Sequence, residues 1–402
     1  MNARARTFLC IMLLTSLPCS YGLQKVKTGA DVFIEKRMDL LQGKRVGLIT
    51  NPTGRLSSGK FLLDTLQALH VQVAALFGPE HGVRGKAAAG EVVPDAREDG
   101  IPVYSLYGKI RKPTPQMLSN VDILVYDIQD VGVRFYTYTS TMGLAMEAAA
   151  EMNIPFVVLD RPNPLGGMKC DGPVMEDSLK SFVGQYPLPV VYGLTCGELA
   201  RMINGEYWLA NRVRAQLIVV EMEGWTRMML WEDTGLPWVA PSPNIPDPPT
   251  ALTYPSTCFI EATNISEGRG TDRPFQYVGA PFLNSEELTS ELQHLNLGGV
   301  RWTPAAFTPR SSKHTGEYCN GVRLSVDDFE ALQPTVTGLE LLATLVRVGG
   351  KEVKIKGKSL QRLVGSGEIC RKIMSSIPFS ESDWGREVSE FKRASQQYYL
   401  YP

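Results

Sequence analysis

Carboxyl, imidazole, guanidinium and amide side chains recur in this sequence directly after short runs of apolar and β-branched residues. They are Asn51, Glu80, His81, Asp127, Asp130, Arg134, Asp160, Arg161 and Asn163. Two carboxyl groups at one site suit general acid–base chemistry on an acetal, because one donates a proton to the leaving oxygen while the other stays ionised. Burial would raise the pKa of the acid, and an arginine would keep its partner charged. These residue types favour a hydrolytic site.

Aromatic side chains alternate immediately after Arg134, where the sequence reads RFYTY. Tyr136 is a candidate stacking surface for a sugar ring. The same alternation also fits an ordinary half-buried strand, which is the favoured interpretation for Phe135.

Each of these polar groups also has a structural explanation. The alternatives are a solvated loop residue for Glu80, a turn cap for Asp127, a hydrogen-bonded histidine for His81, and ion pairs for Asp130–Arg134 and Asp160–Arg161. The structural explanations weaken when all the groups fall at one edge of the fold, because a protein without a ligand gains nothing from concentrating charge there.

The elements that must position these groups alternate between strand and helix patterns. Short apolar runs predict strands at residues 45–50, 71–77, 122–126, 155–159 and 188–191. Amphipathic stretches predict helices at residues 58–69, 142–152 and 195–203, the last begun by a capping box of Thr195 and Glu198. This order requires parallel strands with right-handed crossovers, so the fold class is α/β with a Rossmann-like open sheet. The carboxyl ends of such strands share one edge.

Several classes of function are not supported by the sequence. The turn after the first strand reads NPTGRLSSG rather than GxGxxG, so no dinucleotide or other cofactor is expected. No HExxH motif or closely spaced histidine pair predicts a metal site. The net charge of -1 provides no broad basic surface for nucleic acid. The cysteines beyond the N-terminal leader fit no nucleophile or zinc pattern, and we expect buried, inert thiols.

A proline-rich stretch at residues 237–255 divides the chain. Its proline density is expected to stop helices and central strands, which indicates an interdomain connector near the site. We therefore predict a Rossmann-like catalytic domain at residues 23–240 and a smaller α+β domain at residues 241–402, with the cleft between them. Helices are predicted in the second domain at residues 285–295 and around 338–348.

The first residues predict export. Arg4 and Arg6 precede an apolar run, Phe8 to Leu17, that is too short to span a membrane, and small residues follow. This layout predicts a signal peptide at residues 1–22 and a periplasmic or extracellular protein with no transmembrane segment in the mature chain. Lipidation at Cys19 is the less favoured alternative, because Pro18 fits a lipoprotein signal poorly.

Five segments resemble the sequence blocks of the NamZ-type exo-β-N-acetylmuramidases, a family formerly known as an uncharacterised domain. They are GLITNPTG at 47–54, LFGPEHGVRG at 76–85, VYDIQDVGVRFYTYTSTM at 125–142, VLDRPNPLGG at 158–167 and APSPNIP at 240–246. The likeness extends over nearly the whole mature chain.

The resemblance implies release of N-acetylmuramic acid from the non-reducing end of peptidoglycan fragments, so muramyl saccharides are the expected partners. It points to Glu80 and His81, to Asp127, Asp130 and Arg134, and to Asp160, Arg161 and Asn163. A further block at 267–271 (EGRGT) adds Glu267 as a carboxylate and Arg269 as a cation from the second domain.

Within this resemblance Glu80 is the expected general acid, and Asp127, Asp130 or Glu267 would supply the second charge. Arg134, Arg161 and Arg269 are candidates to clamp the lactyl carboxylate of the sugar. Two other functions stay open on the sequence: a periplasmic muropeptide-binding protein, and a metal-dependent hydrolase that uses His81 with the aspartates.

Overall fold

The computed structural model describes residues 25–85, 87, 90, 91 and 94–402. The predicted signal peptide lies outside the described residues and stays a prediction. None of the helices in this described part has both the length and the apolar character that a membrane crossing requires.

A seven-stranded sheet organises the N-terminal half of the chain. Its strands are β1 (Val46–Thr50), β2 (Val73–Gly78), β3 (Ala96–Glu98), β4 (Ile101–Ser105), β5 (Ile123–Asp127), β6 (Phe156–Leu159) and β7 (Leu217–Val220). The spatial order is β3-β4-β2-β1-β5-β6-β7, and every neighbouring pair is parallel except β3 with β4. The predicted Rossmann-like sheet is confirmed. The strand order reverses between β1 and β5, which is where open sheets of this kind form a crevice.

Helices cover both faces of this sheet. They are α1 (Gly29–Lys36), α2 (Leu62–Ala68), α3 (Pro115–Leu118), α4 (Tyr138–Glu151) and α5 (Cys196–Gly205). Leu48 of β1 packs in the core that contains Phe33 of α1 and Leu66 of α2. Ile49, the next residue, belongs to the opposite core with Met146 of α4. This alternation follows from the period of two in a strand, and both faces are apolar because both are covered.

The predicted strand at residues 188–191 is wrong. Its backbone bonds to loops instead: the N–H of Arg134 donates to the carbonyl of Val190, and the N–H of Val191 donates to the carbonyl of Asp171. Pro187 precedes this segment and Pro189 lies within it, so alternate N–H donors are missing, which a central strand cannot spare. β7 occupies the sheet edge instead.

The second domain contains a three-stranded antiparallel sheet in the order β8-β10-β9, with β8 at Tyr277–Ala280, β9 at Val300–Phe307 and β10 at Cys319–Val326. Its helices are α6 (Pro248–Thr257), α7 (Ser285–His294), α8 (Pro334–Gly349), α9 (Gly357–Val364), α10 (Gly367–Met374) and α11 (Gly385–Ser395). The smaller α+β domain and both predicted helices are confirmed.

The sequence predicted that the proline-rich segment would contain no helix, and this prediction is wrong. α6 begins within it because Asp247 accepts a hydrogen bond from the N–H of Thr250 at 2.8 Å. Pro248 and Pro249 fill the first helical positions, where no N–H bond is required. Pro255 lies in the last turn, where its missing N–H removes only one hydrogen bond of the helix.

The two domains share one continuous apolar core. The ring of Phe135 lies edge-on to the rings of Tyr254 and Phe259, with centroid distances of 5.3 and 5.8 Å. The chain end also returns to the first domain, where the Tyr401 hydroxyl donates to Asp160 at 2.6 Å. Five cysteines in the described residues are free and buried, as predicted: Cys170, Cys196, Cys258, Cys319 and Cys370.

Candidate active site

Glu80 lies two residues after β2, in a tight turn of the first domain. Its carboxylate accepts the Thr137 hydroxyl at 2.8 Å and the Gly90 N–H at 3.1 Å. The side chain is only half-buried. His81, next in the chain, has a φ of +72°, which turns its imidazole away to the carbonyl of Ala87 at 2.8 Å. The turn therefore presents Glu80 to the cleft and uses His81 to hold the loop.

Two tyrosines surround Glu80. The Tyr138 hydroxyl lies 3.4 Å from the Glu80 carbonyl oxygen and donates to the carbonyl of Pro241 at 2.5 Å. Asn51 donates to the same hydroxyl at 3.0 Å, so Asn51 orients a tyrosine. Burial raises the pKa of Tyr107 to about 12, and the negative charge of Glu80 adds to the effect. Sequence reasoning missed Tyr107, because it follows β4, a strand that had not been predicted.

A row of aromatic rings leads from Glu80 into the second domain. Tyr136 lies 4.7 Å from Tyr138 and 6.0 Å from Tyr254, measured between ring centroids. Tyr254 in turn lies 4.7 Å from Phe275, over which the guanidinium of Arg269 is placed at 4.9 Å. Tyr136 is buried rather than displayed, so it packs within this row instead of offering an open stacking surface.

Charged residues of the second domain lie at the far end of this row. Arg269 contacts Glu267 at 3.1 Å and also bonds to Glu261. Lys313 contacts Glu267 at 2.8 Å. Glu267 is buried between two cations, whereas Glu261 is partly exposed and its negative charge acts on the Tyr107 hydroxyl together with that of Glu80. Glu261, which the sequence did not single out, is thus the second-domain carboxylate that shares a neighbour with Glu80.

Asp130 is buried, and one of its two carboxylate oxygens accepts hydrogen bonds from the described residues. Oδ2 accepts the Gly132 N–H at 2.9 Å and the Tyr192 hydroxyl, while Oδ1 has no partner among the described residues. Burial raises the pKa of Asp130 to about 6, against the effect of these hydrogen bonds. Its charge also acts on the hydroxyls of Tyr136 and Tyr138, which places it behind the wall of the Glu80 cleft.

Asp127 and Arg161 form a buried ion pair at 2.6 Å. Burial raises the pKa of Asp127 to about 6 although the guanidinium favours its charged form. Arg161 also donates to the carbonyl of Arg55 at 2.9 Å. The sequence had offered Asp130–Arg134 and Asp160–Arg161 as ion pairs instead. The structure pairs Asp127 with Arg161 because residues at the ends of adjacent strands lie closer together than residues along one loop.

Arg134, Asp160 and Asn163 are buried and held by several hydrogen bonds within the protein, although Nε of Arg134 has no partner among the described residues. The Arg134 guanidinium donates to four carbonyls, those of Pro173, Leu188, Leu363 and Val364. Asp160 accepts from the Thr195 and Tyr401 hydroxyls and from the N–H groups of Arg161 and Gly197. Asn163 bonds to the backbone of Leu165 and Leu194. Their contacts give these three residues structural roles.

Comparison with known proteins places this geometry in a family. The model of the N-terminal domain of exo-β-N-acetylmuramidase NamZ matches residues 46–249, and the model of its C-terminal domain matches residues 252–401. The chain belongs to the NamZ exo-β-N-acetylmuramidase family. The family resemblance predicted from the sequence blocks is therefore confirmed.

Individual relatives of this family agree over most of the chain. A peptidoglycan β-N-acetylmuramidase NamZ from Bacillus subtilis (strain 168) is 47% identical over 383 residues, which cover 94% of this chain and 92% of the relative. Two crystal structures of DUF1343 family proteins from Bacteroides fragilis NCTC 9343 have TM-scores of 0.86 and 0.78, at 42% and 32% identity. Each alignment covers 94% of this chain and 99% of the other.

Proposed function

We propose that this chain is an exo-acting glycoside hydrolase that releases N-acetylmuramic acid from the non-reducing end of peptidoglycan fragments. The name of the Bacillus subtilis relative and the match of both domain models support this substrate class. The observation that carries the proposal is the placement of Glu80, a half-buried carboxyl with hydroxyl neighbours on the first domain, which shares the Tyr107 hydroxyl as a neighbour with Glu261 of the second.

Glu80 acts as the general acid in this proposal. Protonated Glu80 donates to the glycosidic oxygen as the bond to the anomeric carbon breaks, and the resulting carboxylate then accepts a proton from water. Thr137 donates a hydrogen bond to Oε2, which fixes the carboxyl plane. Oε1, which accepts the Gly90 N–H at 3.1 Å, is the oxygen proposed to contact the substrate, and the Tyr107 hydroxyl is a further hydrogen-bond partner of the carboxylate.

The second charge has two candidate sources on opposite sides of Glu80. Asp130 keeps one oxygen without a partner among the described residues but is buried, whereas Glu261 is partly exposed on the second domain. Glu267 is neutralised by Arg269 and Lys313, and Asp127 by Arg161. The N-acetyl carbonyl of the substrate is a third candidate, because acetamido sugars can supply their own nucleophile.

A cation on the Glu80 side of the cleft fits the lactyl carboxylate of the substrate. Arg111 is exposed, lies 4.5 Å over the ring of Phe182, and makes no ion pair among the described residues. Its positive charge acts on the same Tyr107 hydroxyl that Glu80 does. Arg134 and Arg161 are buried in other contacts, so Arg111 replaces them as the proposed clamp, with Arg269 on the second domain as the alternative.

Hydrolysis of a chromogenic muramide, with free N-acetylmuramic acid measured, tests the function. We expect wild-type turnover that persists in a metal chelator, and a fall of about 10²–10⁴-fold in Glu80→Gln at an unchanged melting temperature. Glu98→Gln is the matched control, since Glu98 bonds only to Arg84 on an exposed edge. Binding without release of sugar would instead indicate a muropeptide receptor, and loss of activity in chelator would indicate a metal-dependent hydrolase.

Export is a separate part of the proposal. The basic residues, short apolar run and small residues at 1–22 support cleavage by a signal peptidase and a periplasmic or extracellular location. N-terminal sequencing of the protein from its native host should begin near Leu23. A start at the initiator methionine in the cytoplasmic fraction would contradict this.

A further inference from the structure

β2 and β4 end side by side in the sheet, and a polar side chain follows each of them at the same distance along the chain. Gly78 at the end of β2 pairs with Ser105 at the end of β4. The pairing continues past the strands, because the Leu106 N–H donates to the carbonyl of Gly78 at 2.8 Å. Glu80 lies two residues after Gly78, and Tyr107 lies two residues after Ser105. The two side chains therefore leave adjacent strand ends at the same level of the sheet.

The Tyr107 hydroxyl is a hydrogen-bond donor to the Glu80 carboxylate. Thr137, at the start of α4, donates to Oε2 of the same group at 2.8 Å, and the Gly90 N–H donates to Oε1 at 3.1 Å. Separate segments of the chain thus supply donors to one carboxylate. Because each hydrogen bond restricts rotation of the side chain, the plane of the carboxyl group depends on Tyr107 as well as on Thr137.

The Tyr107 hydroxyl keeps its proton at neutral pH. Burial raises the pKa of Tyr107 to about 12, and Glu80 contributes more to this shift than the other charged groups that act on the hydroxyl, Arg111 and Glu261. Tyr107 is therefore a hydrogen-bond donor and neither the acid nor the base of the reaction. A hydrogen bond to a carboxylate is stronger than one to a neutral carboxyl group, so this contact strengthens as Glu80 gives up its proton.

The ring of Tyr107 is held by packing from another part of the chain. Its centroid lies 5.9 Å from that of Phe182, with an angle of 54° between the two rings. Phe182 is buried within a short turn that Ser181 and Gly184 close by exchanging backbone hydrogen bonds at 3.1 and 2.9 Å. Arg111 covers the Phe182 ring at 4.5 Å. The orientation of the phenol is thus supported by contacts that do not involve the Glu80 carboxylate.

We propose that Tyr107 is a positioning residue for Glu80, whose carboxyl group it holds in the orientation that protonates the glycosidic oxygen. This inference rests on the proposed function and adds to it a residue that the sequence did not single out. In the step itself, the O–H bond of Glu80 breaks and a new O–H bond forms on the leaving sugar, while Tyr107 keeps its own proton. Because the hydrogen bond from Tyr107 strengthens as the carboxylate forms, it stabilises the transition state more than the bound substrate.

Turnover of two substrates with different leaving groups tests the proposal. The disaccharide of N-acetylmuramic acid and N-acetylglucosamine has a leaving hydroxyl that must be protonated, whereas the leaving group of a dinitrophenyl muramide departs without a proton. Tyr107→Phe should lower kcat about tenfold on the disaccharide and by less than about twofold on the dinitrophenyl substrate, with KM and the melting temperature nearly unchanged. Tyr104→Phe is the matched control, because it removes a hydroxyl from β4 itself, where the ring packs against Phe77 at 5.5 Å.

A double variant tests whether Tyr107 acts through Glu80. Adding Tyr107→Phe to Glu80→Gln should lower turnover of the disaccharide by no more than about twofold beyond Glu80→Gln alone, because the residue that Tyr107 positions is already lost. A further tenfold fall would show that Tyr107 acts independently of Glu80 and would overturn the proposal.

Two results with the single variant would also overturn it. Equal losses of kcat on both substrates would mean that Tyr107 only supports the fold of the site, and normal kcat on the disaccharide would mean that Glu80 needs no such donor. If the wild type hydrolysed neither substrate, the proposed function would fail together with this inference. A wild type that is active on both, with an unaffected Tyr107→Phe, would contradict this inference alone.

Discussion

Two groups of polar residues follow the same strand ends, and they differ in how fully the protein satisfies them. Arg134 and Asp160 have four hydrogen-bond partners each, all within the chain. Glu80 stays half-buried, with Thr137, Tyr107 and the Gly90 N–H as partners of its carboxylate, while Asp130 keeps one oxygen without a partner among the described residues. Burial within several hydrogen bonds of the protein marks a structural residue, whereas partial exposure marks one available to a ligand.

Arg134→Met gives the largest expected effect, and it tests the group of residues that the protein itself holds by hydrogen bonds. It retains the aliphatic stem but leaves four carbonyls without their donor, so we expect a loss of about 4 kcal/mol of unfolding free energy. Chemical denaturation measures this loss. The kcat and KM of the folded fraction should stay within about twofold of wild type. If the variant were stable but had a much higher KM, Arg134 would be a substrate clamp, and the contrast between Arg134 as a structural residue and Glu80 as a ligand-binding one would be wrong.

Asp130→Asn tests, through the pH dependence of stability, the aspartate that keeps one oxygen without a partner among the described residues. The pKa of Asp130 is raised by burial to about 6 in the folded protein, from 3.8 in the unfolded chain. The folded state therefore holds the proton more tightly, and this contribution to stability is present below pH 4 and lost as pH rises to about 6. A shift of about two units corresponds to about 3 kcal/mol.

The measurement for Asp130 is the unfolding free energy of wild type and Asp130→Asn at intervals between pH 4 and 7. The variant should lose the share of the downward slope that Asp130 contributes between pH 4 and 6, while Asp127 and Asp160, whose pKa values burial also raises to about 6, retain the rest. Asp122→Asn is the control of opposite sign, because the hydrogen bonds from Arg45 hold the pKa of Asp122 well below its usual range. An unchanged slope in Asp130→Asn would mean that Asp130 titrates normally.

Arg111→Met tests an exposed residue that is available to a ligand. An exposed guanidinium with no ion pair among the described residues contributes little to folding but can bind a carboxylate. We expect KM for a muramide to rise about tenfold, with kcat and the melting temperature nearly unchanged. Arg97→Met, another exposed arginine, should leave KM unaltered. Equal KM values in both variants would remove Arg111 from substrate binding.

Thr137→Val has the smallest expected effect. It is close to isosteric and removes the hydroxyl that donates to Glu80, so kcat should fall about fivefold while the protein stays folded. Thr139→Val is the control, since the Thr139 hydroxyl makes only a 3.4 Å contact with the Tyr136 carbonyl. A normal kcat in Thr137→Val would show that the carboxyl needs no such support.

The sequence predicted which residues gather at the strand ends better than what each one does there. Glu80 and Asp130 were predicted to lie in one region, because hydrophobic runs locate strands and parallel strands share an edge, and the charges of both act on the Tyr138 hydroxyl. Tyr107, Arg111 and Glu261 were missed. They come from the loop after β4, a strand that had not been predicted, and from the second domain, and only long-range packing brings them together with Glu80.

By itself, the sequence determined the alternating strands and helices of the first domain, the second domain and the family, since local apolar periodicity and contiguous motifs carry that information. Tertiary structure alone decided that Asp127 pairs with Arg161, that Arg134 faces carbonyls rather than a cleft, and that residues 188–191 leave the sheet. The physical reason is that satisfaction of a buried polar group depends on atoms distant in the chain, which no local pattern encodes.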